Sequence, residues 1–132
     1  MNAMPVRVLV VDDAVFMRSM IRGILEASGR YEVVAEAGSG SEAVEAFRTT
    51  RPDLVTLDIV MPEMGGIDAC REILKEDPGC RIVMCSALGQ ESLVVECIAA
   101  GARDFLVKPF SPDAVLRVLD GAVDRETGIA RA

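Results

Sequence analysis

The chain has 132 residues, which fits one domain and leaves little room for a second. Acidic residues outnumber basic residues by 21 to 14, giving a net charge of -7. This balance disfavours direct binding to nucleic acid, because a phosphate backbone attracts clustered lysine and arginine. Although 51% of the residues are hydrophobic, no stretch has the length of a membrane helix, and no secretory signal pattern is present. We therefore expect a soluble cytoplasmic protein with no membrane partner.

The chain contains no histidine, and none of its four cysteines forms a C-x-x-C pair. A zinc site is therefore not expected, whereas buried free thiols in a reducing compartment are. Without histidine the chain can use neither a Ser-His nor a Cys-His mechanism. It also cannot itself be a phosphohistidine donor.

The first predicted strand and helix lie near the start of the chain. Val6 to Val11 is rich in valine and leucine, as is typical of a strand buried on both faces. The run stops at Asp12 and Asp13, where either carboxylate could cap a helix. A helical apolar stripe follows from Phe16 to Leu25, and Gly29 marks its end. Charged residues fall on the opposite face of this helix: Arg18, Arg22 and Glu26.

Two further strands and helices are predicted in the middle of the chain. Tyr31 to Ala37 is the second strand, and Ser39 and Glu42 have the spacing of a capping box at the start of the second helix. Leu54 to Leu57 is the third strand, which ends at Asp58. A loop with proline and glycine leads to a third helix, whose inward residues are Ile67, Cys70, Ile73 and Leu74.

The last part of the chain repeats the alternation of strand and helix. Arg81 to Ser86 is the fourth strand, Glu91 to Ala100 the fourth helix and Asp104 to Val107 the fifth strand. Ser111 and Pro112 have the pattern of an N-cap and a first-turn proline at the start of a fifth helix. Five alternating strands and helices predict an α/β fold, a doubly wound parallel sheet covered on both faces. We assign residues 1–125 to this domain and residues 126–132 to a polar C-terminal tail.

Polar side chains stand where four of the predicted strands end: Asp12, Asp13, Asp58, Ser86 and Lys108. In an open parallel sheet, ligands bind beyond these carboxyl ends. Three carboxylates that lie close together repel one another, and a divalent cation with oxygen ligands relieves the repulsion, so Mg²⁺ is the expected metal.

The same set of side chains has the chemistry of phosphoryl transfer. The metal and Lys108 can hold phosphoryl oxygens while a carboxylate acts as the nucleophile. Asp58 is the best candidate, since it stands alone at the end of a central strand, and the hydroxyl of Ser86 can donate to a phosphoryl oxygen. Each residue alone has an ordinary explanation as a cap, a turn or a solvated side chain, so the prediction depends on the combination.

Four segments together resemble the receiver domains of two-component response regulators: VLVVDDAVFMR, LVTLDIVMPEMGGID, MCSALGQ and AGARDFLVKPF. The resemblance covers almost the whole chain and is strongest to the stand-alone regulators of chemotaxis. It implies a flavodoxin-like sheet of order 2-1-3-4-5. It also implies a monomeric signalling domain, not an enzyme beyond self-phosphotransfer and autodephosphorylation. Its implied partners are a histidine kinase as phosphodonor and a protein output partner, for which the flagellar switch is a candidate.

The resemblance also implies roles for particular residues. The phosphoacceptor is Asp58, Lys108 pairs with the phosphoryl group, and a cis bond joins Lys108 to Pro109. The Mg²⁺ ligands are Asp12, Asp13, Asp58 and the backbone carbonyl of Val60. The switch pair consists of the Ser86 hydroxyl and the Phe105 ring.

Two positions depart from the family pattern. Phe105 lacks the hydroxyl that a tyrosine would carry there, and an aromatic residue in a strand is often fixed core. Val60 is apolar where family members often tune autodephosphorylation.

Two other hypotheses remain from the sequence. The chain could be the receiver part of a longer regulator, such as a chemotaxis methylesterase or a DNA-binding response regulator. It could also be a flavodoxin-like cofactor binder or a small phosphohydrolase. The adjacent carboxylates after the first strand disfavour both members of the second class: they would repel a cofactor phosphate, and they are not the D-x-D pattern of a haloacid-dehalogenase-type phosphatase.

Overall fold

The computed structural model of the chain describes residues 4–87 and 90–127, without the side chains of residue 91 and of residues 124–127. Five strands alternate with five helices: β1 Val6–Val11, α1 Val15–Ser28, β2 Tyr31–Ala37, α2 Gly40–Thr50, β3 Leu54–Asp58, α3 Gly66–Glu76, β4 Arg81–Ser86, α4 Glu91–Ala99, β5 Asp104–Val107 and α5 Pro112–Thr127. In these described ranges, no helix is long and apolar enough to cross a membrane.

The strands form one parallel sheet in the order β2-β1-β3-β4-β5. The predicted fold class and strand order are thereby confirmed. Because every pairing is parallel, the carboxyl ends of all five strands lie at the same edge, which we call the carboxyl edge.

Alternate residues along the strands point to two separate cores, as the period of two in a strand requires. One core joins the sheet to α2, α3 and α4, around Leu57, Phe47 and Ile73. The other joins it to α1 and α5, around Val10, Leu25 and Leu119. All four cysteines are free and buried in these cores, as predicted.

Local signals in the sequence explain most helix ends. The Ser39 hydroxyl accepts the N–H of Glu42 at 3.1 Å, and the Glu42 carboxylate accepts the N–H of Gly38 at 2.8 Å, so the capping box prediction holds with the glutamate bound one residue earlier than usual. The Ser111 hydroxyl accepts the N–H of Ala114 at 3.1 Å, ahead of α5. Gly29 ends α1 in the left-handed region, with φ of 76°.

One expectation about a helix end was wrong. Neither Asp12 nor Asp13 is the N-cap of α1; the cap position is Ala14, and no side chain caps it. The α5 helix continues to Thr127, two residues past the predicted domain boundary, and the division into a domain and a tail stays a prediction. Arginine and glutamate form helices readily, so the loss of the apolar stripe does not end the helix. Residues 128–132 of the predicted tail lie outside the described residues.

Candidate functional site

The parallel sheet brings all five predicted polar side chains to its carboxyl edge. Asp12 follows β1 directly, Asp58 is the last residue of β3, Ser86 ends β4, and Lys108 follows β5. Asp12 is 1% exposed and Asp58 is 7% exposed, whereas Asp13 points to solvent. The carboxylates of Asp12 and Asp58 are therefore largely withdrawn from water, and that of Asp13 lies beside them on the solvent side.

One oxygen from each of Asp12, Asp13 and Asp58 lies within 4.8 Å of the others, and we call these three residues the acidic cluster. Such a spacing puts like charges close together in a partly buried place, which is unfavourable unless a cation joins them. Carboxylate oxygens are the ligands that Mg²⁺ prefers. The acidic cluster therefore fits a Mg²⁺ ion by both its donor atoms and its charge.

Lys108 is the cation that faces the acidic cluster. Its Nζ donates to a carboxylate oxygen of Asp12 at 2.9 Å and lies 3.3 Å from an oxygen of Asp58. The peptide bond to Pro109 is cis, as expected, and the N–H of Lys108 donates to the carbonyl of Ser86 at 2.7 Å. The ends of β4 and β5 therefore fix the start of the lysine side chain, and its ammonium lies between two carboxylates.

The charges at this edge shift the ionisation of Asp58 and Lys108. Burial and, after it, the nearby charge of Asp12 raise the pKa of Asp58, Lys108 opposes the shift, and the net result is a pKa of about 6. Burial alone would lower the pKa of Lys108, but the hydrogen bond to Asp12 and the charge of Asp58 outweigh it and raise that pKa. Lys108 is thus an ammonium at neutral pH, while Asp58 is a carboxylate that a further cation would help to keep ionised.

A close backbone approach fixes the chain that follows Asp58. The N–H of Gly66 donates to the carbonyl of Ile59 at 2.7 Å, and the N–H of Ile59 donates to the carbonyl of Cys85 at 3.1 Å. A Cβ atom at position 66 would lie 2.0 Å from the carbonyl oxygen of Asp58, so only glycine fits there.

The same loop is attached to the start of α2. Glu63 and Met64 are both left-handed, with φ of 52° and 85°. Their carbonyls accept the N–H groups of Ser41 at 3.2 Å and Gly40 at 2.9 Å, donors that an α-helix leaves without partners of its own. Val60 lies within this anchored loop with its side chain 57% exposed, and the metal-binding role of its carbonyl stays a prediction.

Ser86 and Phe105 lie on the neighbouring strands β4 and β5. The Ser86 hydroxyl is buried and donates to the carbonyl of Leu106 at 3.4 Å, which is long for a hydroxyl hydrogen bond. Phe105 is half-buried and packs against the core on the side of α2, α3 and α4. The hydroxyl is therefore weakly held, and its predicted coupling to the ring stays a prediction.

The sequence reasoning missed one residue at this site. It placed Arg18 with the charged face of α1, but its guanidinium donates to the backbone carbonyl of Asp12 and pairs with Glu36 at 3.1 Å. Side chains in a helix lean toward its N-terminus, so a long residue in the first turn points back to the strand before it. The position of an arginine six residues after Asp12 was the signal available in the sequence.

An open parallel sheet with an acidic cluster, a lysine and a buried hydroxyl at its carboxyl edge has the parts of a metal-assisted phosphoryl acceptor. Comparison with known proteins agrees with this class. The chain belongs to the response regulator receiver domain family, whose sequence model matches residues 8–120.

The relatives of the chain include chemotaxis proteins. It is 55% identical to the chemotaxis protein CheY of Thermotoga maritima and 56% identical to that of Bacillus subtilis, each over 114 residues that cover 86% of this chain and 94% of the relative. A chain in the crystal structure of the CheX–CheY–BeF3–Mg complex from Borrelia burgdorferi matches with a TM-score of 0.85 and 38% identity, covering 91% of this chain and 90% of that one. The chain is thus a response regulator receiver domain similar to CheY, and the cofactor-binder and phosphohydrolase hypotheses are disfavoured.

Proposed function

We propose that this chain is a chemotaxis response regulator that takes a phosphoryl group from a histidine kinase onto Asp58. The observation that carries the proposal is the convergence of three carboxylates within 4.8 Å beside the Lys108 ammonium. Residues 1–125 form the receiver domain in this proposal, and it works as a signalling module that catalyses only its own phosphorylation and dephosphorylation.

Each residue of the site has a part in the proposed transfer. A carboxylate oxygen of Asp58 attacks the phosphorus, the P–N bond of the donor phosphohistidine breaks, and the donor imidazole keeps the electron pair. Lys108 pairs with the phosphoryl oxygens once they arrive. Bound Mg²⁺ would neutralise charge that develops on those oxygens, and its protein ligands would be Asp12, Asp13, Asp58 and the backbone carbonyl of Val60.

Phosphorylation must then change a surface that a partner recognises. The Ser86 hydroxyl, held only at 3.4 Å by the Leu106 carbonyl, is free to donate to a phosphoryl oxygen. The Phe105 ring on the next strand would fill the space that the hydroxyl leaves. This changes the face formed by α4, β5 and α5, where the exposed side chains of Val95, Ile98 and Val107 offer an apolar contact.

The proposed partners follow from the relatives. One CheY relative was crystallised in a complex with CheX, and we propose that this chain likewise acts on a protein, with the flagellar switch as the candidate suggested by chemotaxis. We place it in the cytoplasm as a monomer, without direct contact to nucleic acid or membrane. Four buried free thiols support a reducing compartment.

Replacement of Asp58 tests the acceptor. Incubated with Mg²⁺ and acetyl phosphate, the wild type should gain one acid-labile phosphoryl group by intact mass, and Asp58→Asn should gain none because the amide is not a nucleophile. Asp120→Asn, in which an aspartate of α5 remote from the acidic cluster is changed, should behave as the wild type. Full modification of Asp58→Asn would overturn the assignment.

Replacement of Ser86 tests the output step. When beryllofluoride binds, the wild type should show changes in NMR chemical shift at Phe105 and in α4. Ser86→Ala should still bind beryllofluoride but should not show these distant changes. If the variant shows the same distant shifts as the wild type, Ser86 is not the coupling residue.

A further inference from the structure

Arg18 joins three elements next to the acidic cluster. From the first turns of α1 it donates through Nη1 to the carbonyl of Asp12, after β1, and through Nε to a carboxylate oxygen of Glu36 in β2 at 3.1 Å. Its side chain is 17% exposed, so water competes little for these bonds. Neither the transfer to Asp58 nor the switch described above uses this residue.

Arg18 completes the set of contacts that immobilises Asp12. The N–H, the two carboxylate oxygens and the carbonyl of Asp12 each have a partner, in that order Ala37, Ala14, Lys108 and Arg18. The carbonyl of Asp12 and the N–H of Asp13 belong to one planar peptide unit. A bond that holds the carbonyl oxygen therefore fixes the orientation of this plane and the direction in which Asp13 leaves it.

Glu36 holds the guanidinium in the orientation that this contact needs. One of its carboxylate oxygens accepts from Arg18, and the other accepts from Nε of Arg22 at 2.7 Å. Burial alone would raise the pKa of Glu36, but the hydrogen bonds from Arg22 and Arg18 outweigh it and lower that pKa. Glu36 is therefore an anion fixed from two sides. The planar fork of an arginine can bond it and the Asp12 carbonyl at once, which the single ammonium of a lysine does poorly.

We propose that Arg18 is a positioning residue for the metal site, which sets the Asp12–Asp13 peptide so that the carboxylate of Asp13 meets those of Asp12 and Asp58. This inference rests on the proposed Mg²⁺ site. The effect of Arg18 is on geometry and not on charge, since its own charge would repel the metal and is already paired with Glu36.

The test compares two conservative replacements in the full chain. Arg18→Lys keeps the charge and loses the fork, whereas Arg22→Lys loses a fork that joins Glu36 to Glu26 and does not touch Asp12. Calorimetric titration with MgCl2 should show a dissociation constant raised about tenfold in Arg18→Lys. In Arg22→Lys the change should stay below about twofold, as for an exposed ion pair.

A second measurement needs no metal. In the metal-free protein, the amide NMR resonance of Asp13 should move in Arg18→Lys and stay in place in Arg22→Lys, because only the first loses the charged bond to that peptide. Glu36→Gln, which keeps Arg18 but weakens the ion pair that orients it, should give the same changes in smaller amount and serves if Arg18→Lys does not fold.

Two results would overturn the inference. One is an Arg18→Lys variant that binds Mg²⁺ with the same dissociation constant as the wild type and whose Asp13 amide resonance does not move. The other is tighter Mg²⁺ binding in Arg18→Gln, which would mean that Arg18 acts on the metal through charge. If the wild type itself does not bind Mg²⁺, the proposed function fails, while the Asp13 amide still decides whether Arg18 fixes the peptide.

Discussion

Carboxylates have different surroundings at the two ends of the parallel sheet. At the amino end, Asp120 of α5 accepts a hydrogen bond from the Tyr31 hydroxyl at 2.6 Å and pairs with Arg30 at 2.8 Å. At the carboxyl edge, three carboxylates lie within 4.8 Å of one another, and Lys108 is the cation between two of them. The amino end matches opposite charges, whereas the carboxyl edge keeps like charges together. Such a local conflict is expected where a fold binds a ligand, and stability is lost there for the sake of function.

The largest expected effect comes from the backbone next to Asp58. Gly66→Ala places a Cβ 2.0 Å from the carbonyl oxygen of Asp58, so the loop must shift, and we expect the free energy of unfolding to fall by about 3 kcal/mol. In Gly121→Ala the added Cβ has no described atom within 4 Å outside its chain neighbours and the backbone of its own helix, and the free energy of unfolding should rise by about 0.5–1 kcal/mol. Urea denaturation of both variants measures the difference. A Gly66→Ala variant as stable as the wild type would show that the backbone of Asp58 does not restrict the residue at position 66.

The charge comparison itself is tested by making the same substitution at both ends. Without metal at pH 7, Asp58→Asn should raise the free energy of unfolding by on the order of 1–2 kcal/mol, because it removes a buried carboxylate that burial and Asp12 disfavour. Asp120→Asn should lower it by about 0.5–1 kcal/mol, because it weakens the pairing with Arg30. The opposite signs, measured in urea with EDTA present, are the expected result. Destabilisation by both substitutions would mean that Lys108 already balances the acidic cluster.

The pH dependence of stability sharpens the same comparison. The pKa of Asp58 is about 6 in the folded chain and about 4 in an unfolded one, so the folded state binds the proton more tightly. The stability that comes from this tighter proton binding is therefore present below about pH 4, is lost as the pH rises from about 4 to about 6, and stays lost above that range. The metal-free wild type and Asp58→Asn should be close in stability at pH 4 and differ most at pH 7. A difference that does not change with pH would contradict the raised pKa.

The sequence predicts the local features of this molecule but not its tertiary contacts, and the reason is physical. The strands and the residues that end them could be predicted, because a short apolar run stopped by Asp58 or Ser86 is a local pattern. The two contacts that shape the site are tertiary. Arg18 reaches Asp12 only because of the direction in which α1 follows β1. Glu63 has a left-handed backbone, which glutamate does not favour, because the carbonyls of its loop accept hydrogen bonds from the start of α2.

The glycine at position 66 shows the same limit. A Gly-Gly pair in the sequence indicates a loop, but it does not tell which glycine faces a backbone. A Cβ at position 66 would lie 2.0 Å from the carbonyl oxygen of Asp58, whereas a Cβ at position 65 would lie 3.2 Å from that of Ile59. The loop was thus predictable as a loop, and the constraint that it places on the backbone of Asp58 was not.

The central claim is that the acidic cluster binds Mg²⁺, and the most direct measurement is the free energy of unfolding as MgCl2 is added. A dissociation constant of about 1 mM would make about 10 mM Mg²⁺ stabilise the wild type by about 1.4 kcal/mol, since the metal binds only the folded chain. Asp120→Asn should show the same gain, and Asp13→Asn a smaller one. A wild type whose free energy of unfolding does not change with Mg²⁺ would contradict the account.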